Sequence, residues 1–133
     1  MSVGPVSGNG IAFSLPSGKT VFWTVTAQAS YTQFVQLKDS TGAVIFQASG
    51  SSTGGHSPTQ IGNGTFVSTG NTPYMLYVGI NGGQHWSQVL WDNMTLYLNT
   101  TIMCSNFNFI SEDNADQDFN DSSVSITWFN TNN

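Results

Sequence analysis

Charge is what this sequence of 133 residues has least of: charged side chains make up 7% of it, arginine is absent, and Lys19 and Lys38 are the only lysines. With a net charge of −5, the chain cannot neutralise a run of phosphates. Nucleic acid is thereby excluded as a partner, and so is electrostatic docking on an anionic membrane. A lone cysteine, Cys104, excludes an internal disulfide. Its neighbours Ile102, Met103, Phe107 and Phe109 lead us to expect a buried thiol acting as a small apolar filler. No apolar run approaches the roughly 20 residues of a membrane-spanning helix, so no membrane insertion is expected. The start, Met1-Ser2-Val3-Gly4-Pro5, lacks the charged and apolar regions of a signal peptide. The expectation is a soluble protein, cytoplasmic or released without a classical signal peptide.

A sustained helical period is also missing, and period-two alternation takes its place. From Thr20 to Ala29, Val21, Trp23, Val25, Ala27 and Ala29 alternate with Thr20, Phe22, Thr24, Thr26 and Gln28, a strand with one face in a core. Similar strands fit 11–15, 33–38, 43–48, 64–68, 73–81, 88–98, 102–109 and 123–129. Turn chemistry separates them at Pro16-Ser17-Gly18, Asp39-Ser40-Thr41-Gly42, the Ser/Gly stretch 49–55 and Asn81-Gly82-Gly83. About nine short strands at this spacing predict an all-β fold, an antiparallel sandwich or barrel. With no long linker, residues 1–133 read as a single domain. Polarity comes from Ser, Thr, Asn, Gln and Gly, and a surface of neutral hydroxyls and amides suits sugars better than polyanions.

Against this uncharged background, five of the seven acidic residues fall within ten positions: Glu112, Asp113, Asp116, Asp118 and Asp121. Two like charges about 4 Å apart repel by roughly 1 kcal/mol in water and by several times that where protein lowers the dielectric. A hard cation removes that cost, since calcium takes six to eight oxygens from carboxylates, amide carbonyls and backbone. Glu112, Asp116, Asp118 and Asp121 carry four negative charges, which balance two divalent ions. An EF-hand is excluded although Asp116-x-Asp118-x-Asn120 opens like one. Its sixth position holds Asp121 where glycine is required, its twelfth holds Thr127 where glutamate is required, and the flanks read as strands. Zinc is disfavoured because no Cys or His lies in the cluster. Calcium comes first, magnesium or manganese second. The segment sits between the apolar strands at Phe107–Ile110 and Val124–Trp128, where it closes one end of the fold.

The run Ser111-Glu112-Asp113, Asp116, Asp118, Asn120-Asp121 and Trp128 is similar, without a gap, to the C-terminal signature of the bacterial two-calcium lectins that bind fucose and mannose. Upstream, Ile11–Pro16 resembles the family's first strand, and Val25-Thr26-Ala27 with Thr32-Gln33 its next. The resemblance implies a nine-stranded antiparallel β-sandwich, a calcium-dependent carbohydrate-binding domain holding two calcium ions in a shallow site. It carries over Glu112, Asp116, Asp118, Asn120 and Asp121 as metal ligands. In the family a backbone carbonyl from the loop after the second strand adds a further ligand, and small residues there set the sugar preference. Here Ser30 and Tyr31 occupy a loop about two residues shorter, so Ser30 is the corresponding carbonyl ligand and both are candidate sugar contacts. Sugar hydroxyls complete the metal coordination, while Asp113, Asp116 and Asp121 accept hydrogen bonds from the same hydroxyls. A C-terminal glycine carboxylate reaches a neighbouring subunit's calcium in the family; this chain has Thr131 there, followed by Asn132 and Asn133. The partners implied are mono- or oligosaccharides and glycoconjugates, with a homo-oligomer, dimer or tetramer, supplying avidity.

Two other classes stay open at this point. One is a calcium-stabilised structural or adhesive subunit whose loop meets no sugar. The other is a glycosidase, which would need one carboxylic acid kept protonated, whereas metal ligation holds these groups ionised; no enzymatic activity is expected. Trp23, Trp91 and Trp128 lie on strand faces and read as core. Trp86, beside Gly82-Gly83 and His85, is a candidate for stacking on a glycan or a partner. His56 and His85 lack the partners of a catalytic triad.

Overall fold

Alternation of apolar and polar residues becomes alternation of buried and exposed side chains in a computed structural model that describes residues 2–5 (backbone only), 10–52, 57–112 and 119–131. The described residues form eleven strands: β1 (Ser2–Pro5), β2 (Ile11–Phe13), β3 (Thr20–Ala27), β4 (Gln33–Lys38), β5 (Val44–Gly50), β6 (Thr59–Val67), β7 (Tyr74–Ile80), β8 (His85–Trp86), β9 (Gln88–Leu98), β10 (Thr101–Glu112) and β11 (Ser122–Phe129). One sheet has six strands in the order β1-β9-β10-β11-β3-β6. The other has the order β2-β7-β4-β5, with β8 pairing to β7. Every pairing is antiparallel. The all-β sandwich expected from periodicity is the observed architecture.

Between the sheets lies the core. Val21 and Val25 from β3, Val35 and Leu37 from β4, Leu76 and Val78 from β7 and Ile126 from β11 are fully buried. Aromatic rings fill the larger spaces: Trp23 stacks on Phe46 with centroids 3.9 Å apart, and Trp91 stacks on Phe109 at 5.6 Å. Trp23 and Trp128 are buried and Trp91 packs against the core, as strand-face tryptophans should.

Three features depart from the sequence expectation. β1 and β8 are additional short strands. β6 starts at Thr59, five residues before the expected position, because Gly62 and Gly64 weaken the local strand signal. Those glycines serve packing: a Cβ at Gly62 would stand 2.8 Å from the Ala48 Cβ and 3.0 Å from the Trp23 ring, and one at Gly64 3.0 Å from the same indole. Cys104 is half-buried, not a core filler. It falls on the outward side of β10, opposite in parity to the buried Ser105, Phe107 and Phe109.

Candidate functional site

The acidic segment connects β10 to β11. Ser111 pairs with Ser122 across the ladder, their buried side-chain hydroxyls bonded to each other, and the Asp121 amide donates to the Ser111 carbonyl at 3.1 Å. On the other side of β11, Ser122 pairs with Ala27 and the Gln28 amide donates to the Asp121 carbonyl at 2.9 Å. The neck of the loop is therefore held on both sides, and the segment leading out of β3 is fastened beside it.

Two of the expected ligands lie at this neck, and both are buried. Asp121 is 7% exposed. Glu112 is 2% exposed although it falls on the outward parity of β10, in line with the exposed Asn108 and Ile110. The returning chain explains this burial: the amide of Phe119, a residue with a left-handed φ of 54°, donates to Glu112 Oε1 at 3.0 Å. Carboxylates withdrawn from water require donors or a cation. Both lysines are engaged elsewhere. Lys19 Nζ donates to the Asn130 carbonyl at 2.6 Å, beyond the far end of β11, and Lys38 Nζ sits 5.4 Å from the centroid of the Tyr77 ring.

Across from these carboxylates runs the connection from β3 to β4. The Ala29 carbonyl accepts from the Ser52 amide at 3.0 Å and its hydroxyl at 3.1 Å; the Tyr31 carbonyl accepts from Gln33 Nε2 at 3.2 Å; and the Thr32 carbonyl accepts from the Asn81 amide at 2.8 Å. In this row of carbonyls, that of Ser30 takes no backbone donor among the described residues, and Ser30 is exposed. Tyr31, 52% exposed, stands next to it. The structure thus brings Glu112, Asp121 and the Ser30–Tyr31 segment to the same end of the sandwich. Asn120, half-buried, lies between Phe119 and Asp121. Asp113, Asp116 and Asp118 lie outside the described residues, and so does His56. Among the described residues no group of three or more His, Cys, Asp or Glu side chains gathers in one place. An oxygen-only donor set without thiol or imidazole fits a hard cation.

Residues to which the sequence reading gave no role of their own complete the neck. The Ser111–Ser122 hydroxyl pair closes the last rung, and Ser52 holds Ala29. The first had a signal, since Ser111 continues the inward parity of Phe107 and Phe109; the second pairing is long-range and had none. Trp86 is partly buried, its ring packed near Tyr77 and Phe34 at 5.8 and 6.3 Å, and His85 is exposed.

The sequence model of the family described as Fucose-binding lectin II (PA-IIL) matches residues 13–130. The chain belongs to that family. It is a lectin: a sugar-binding protein, not an enzyme, with carbohydrate as its partner, which sets the glycosidase reading aside. No curated protein gives a significant match. Among solved structures, this lectin is similar to a high-affinity mannose-binding lectin of Ralstonia solanacearum, with TM-score 0.74 and 24% identity over 88% of this chain and 94% of that one. It is similar to the C-terminal domain of a Burkholderia cenocepacia lectin, with TM-score 0.72 and 21% identity over 90% and 96%. A third likeness is to a Chromobacterium violaceum lectin solved in complex with alpha-methyl-fucoside, with TM-score 0.67 and 25% identity over 88% and 94%.

Proposed function

We propose that this lectin binds fucose, mannose or related sugars through two calcium ions held at the β10–β11 end of the sandwich. The observation that carries the reading is the pair of buried carboxylates, Glu112 and Asp121, at the neck of the acidic loop and beside the segment that bears Ser30 and Tyr31. Glu112, Asp116, Asp118, Asn120, Asp121 and the Ser30 carbonyl would supply the oxygens, and their four negative charges match two divalent ions. Calcium bound there would replace the hydration that sugar hydroxyls give up on binding. Asp113, Asp116 and Asp121 accept hydrogen bonds from those hydroxyls, and Ser30 and Tyr31 border the sugar and discriminate among its stereoisomers. Such a site is shallow, and we propose a dimer or tetramer that gains its strength from several sites at once.

A glycan array probed in calcium and again in EDTA tests the reading. Binding to fucosylated or mannosylated glycans in calcium, lost in EDTA and lost in Asp118→Ala, is the expected result. Sugar binding that persists in EDTA, or in Asp118→Ala, would place the site elsewhere. Calcium binding that stabilises the fold with no glycan bound would assign the loop a structural role instead.

A further inference from the structure

We infer that Ser52, which lies outside the segment bordering the sugar, is a positioning residue for sugar discrimination: its hydroxyl fixes where the Ser30–Tyr31 backbone stands. The inference deepens the function proposed above and rests on it. The border segment leaves the sandwich at Ala29, which is buried, and continues through Ser30 and Tyr31, which are exposed. A backbone carbonyl withdrawn from water needs donors. That of Ala29 has two, the Ser52 amide at 3.0 Å and the Ser52 hydroxyl at 3.1 Å. The last buried point before the exposed turn is thus pinned by a single residue from the other side of β5.

Ser52 is held firmly enough to act as a post. β5 ends at Gly50, which pairs with Gln33 at the start of β4. There the backbone runs so close to β6 that a Cβ at Gly50 would stand 2.7 Å from Ile61 Cγ2. The Ser49 hydroxyl donates to the Gln33 carbonyl at 3.3 Å, and two residues past Gly50 the chain reaches back to Ala29. Residues 29–33 and 49–52 therefore close into a ring whose outer arc is Ser30–Tyr31.

The remaining fasteners of that arc leave little to a side chain. Gln28 to Asp121 and Asn81 to Thr32 are bonds between backbone groups. Gln33 Nε2 donates to the Tyr31 carbonyl, but Gln33 belongs to β4 itself and is fully buried, so replacing it would disturb the core. Of these bonds, that of the Ser52 hydroxyl is the one that ties the border to another element through a side chain. Coordination to calcium engages hydroxyls that fucose and mannose both present, whereas the contacts that differ between stereoisomers fall on the border. A displaced border consequently changes the relative affinities of two sugars as well as their absolute values.

Calorimetric titration with methyl α-fucoside and with methyl α-mannoside, in saturating calcium, tests this on wild type, Ser52→Ala and Ser52→Thr. Ser52→Ala keeps the amide bond and loses the hydroxyl, and one hydrogen bond of ordinary strength corresponds to roughly twofold to tenfold in affinity. With far-UV circular dichroism unchanged, the ratio of the two affinities should shift by about twofold or more, and Ser52→Thr, which retains a hydroxyl, should restore it. A bond that only supports the fold would weaken both sugars by one common factor. An unchanged ratio in Ser52→Ala, or a threonine variant that behaves like the alanine one, would overturn the inference and leave the calcium site standing. A wild type that binds neither sugar in calcium would overturn both.

Discussion

Glu112 concentrates the chemistry of the site into one side chain, because it is buried, acidic and bonded to the Phe119 amide. Glu112→Gln keeps the size and the acceptor while removing the charge, so its effects on the calcium-free and calcium-loaded proteins should have opposite signs. In EDTA the variant should melt at the same temperature as wild type or higher, since one member of a like-charged cluster is gone. In calcium it should melt lower and bind the ion roughly tenfold more weakly or worse, a charged ligand having been lost; calorimetric titration and thermal melts read both limbs. Lower stability in EDTA as well would make Glu112 a structural acceptor and no ligand. A second carboxylate, Asp39, is held for a different purpose. Its Oδ1 accepts from the Thr41 hydroxyl at 2.6 Å, the Thr41 amide at 2.9 Å and the Ala43 amide at 3.1 Å, closing the β4–β5 turn. These bonds, the Thr41 hydroxyl first, hold its pKa below the 3.8 of an unperturbed aspartate. A depressed folded-state pKa gives stability that is complete above the unfolded value and is lost as pH falls through the folded one. The stability difference between wild type and Asp39→Asn, measured by urea unfolding, should therefore be constant at neutral pH and shrink below about pH 4.

At the level of strands, most of the fold was legible because burial on one face writes itself as alternation. The alternating face from Val21 to Ala27 in β3 could be assigned to a core, and 102–109 in β10 to a strand, before any partner was known. What could not be read was set by contacts across the sandwich. The first half of β6 looks like a loop because Gly62, Asn63 and Gly64 have low strand preference, yet Trp23 on β3 lies over those glycines and fills the space their missing side chains leave. β8 is two residues long and exists through its pairing with Gly79 and Ile80. The candidate site divides in the same way. The acidic cluster, with its spacing, is the sequence basis for the proposed oxygen-rich cation site, whereas the approach of the β3–β4 connection depends on the Gln28 to Asp121 bond, which joins residues far apart in sequence. The glycine interpretation has a direct check. Gly62→Ala places a methyl 2.8 Å from the Ala48 Cβ and 3.0 Å from a Trp23 ring already stacked on Phe46, so nothing nearby can yield cheaply. Overpacking of this kind costs about 1–3 kcal/mol, and the urea midpoint should fall accordingly with no change in calcium affinity.

Across the whole molecule the two ends of the β9–β10–β11 hairpins differ in character: one carries the acidic loop, and the other is apolar and uncharged. The acidic end draws on both sheets: Glu112 ends β10, Asp121 precedes β11, and the Gln28 amide ties the connection from β3 to β4, which joins the two sheets, to the Asp121 carbonyl. Calcium held there as proposed would stabilise the whole fold, because a ligand that binds only the folded state adds RT ln(1 + [L]/Kd), about 2.7 kcal/mol at a hundredfold excess over Kd. The urea midpoint of the wild type should therefore rise with calcium concentration while that of Asp118→Ala stays where it is in EDTA. A wild-type midpoint indifferent to calcium would remove the ion from this end of the sandwich.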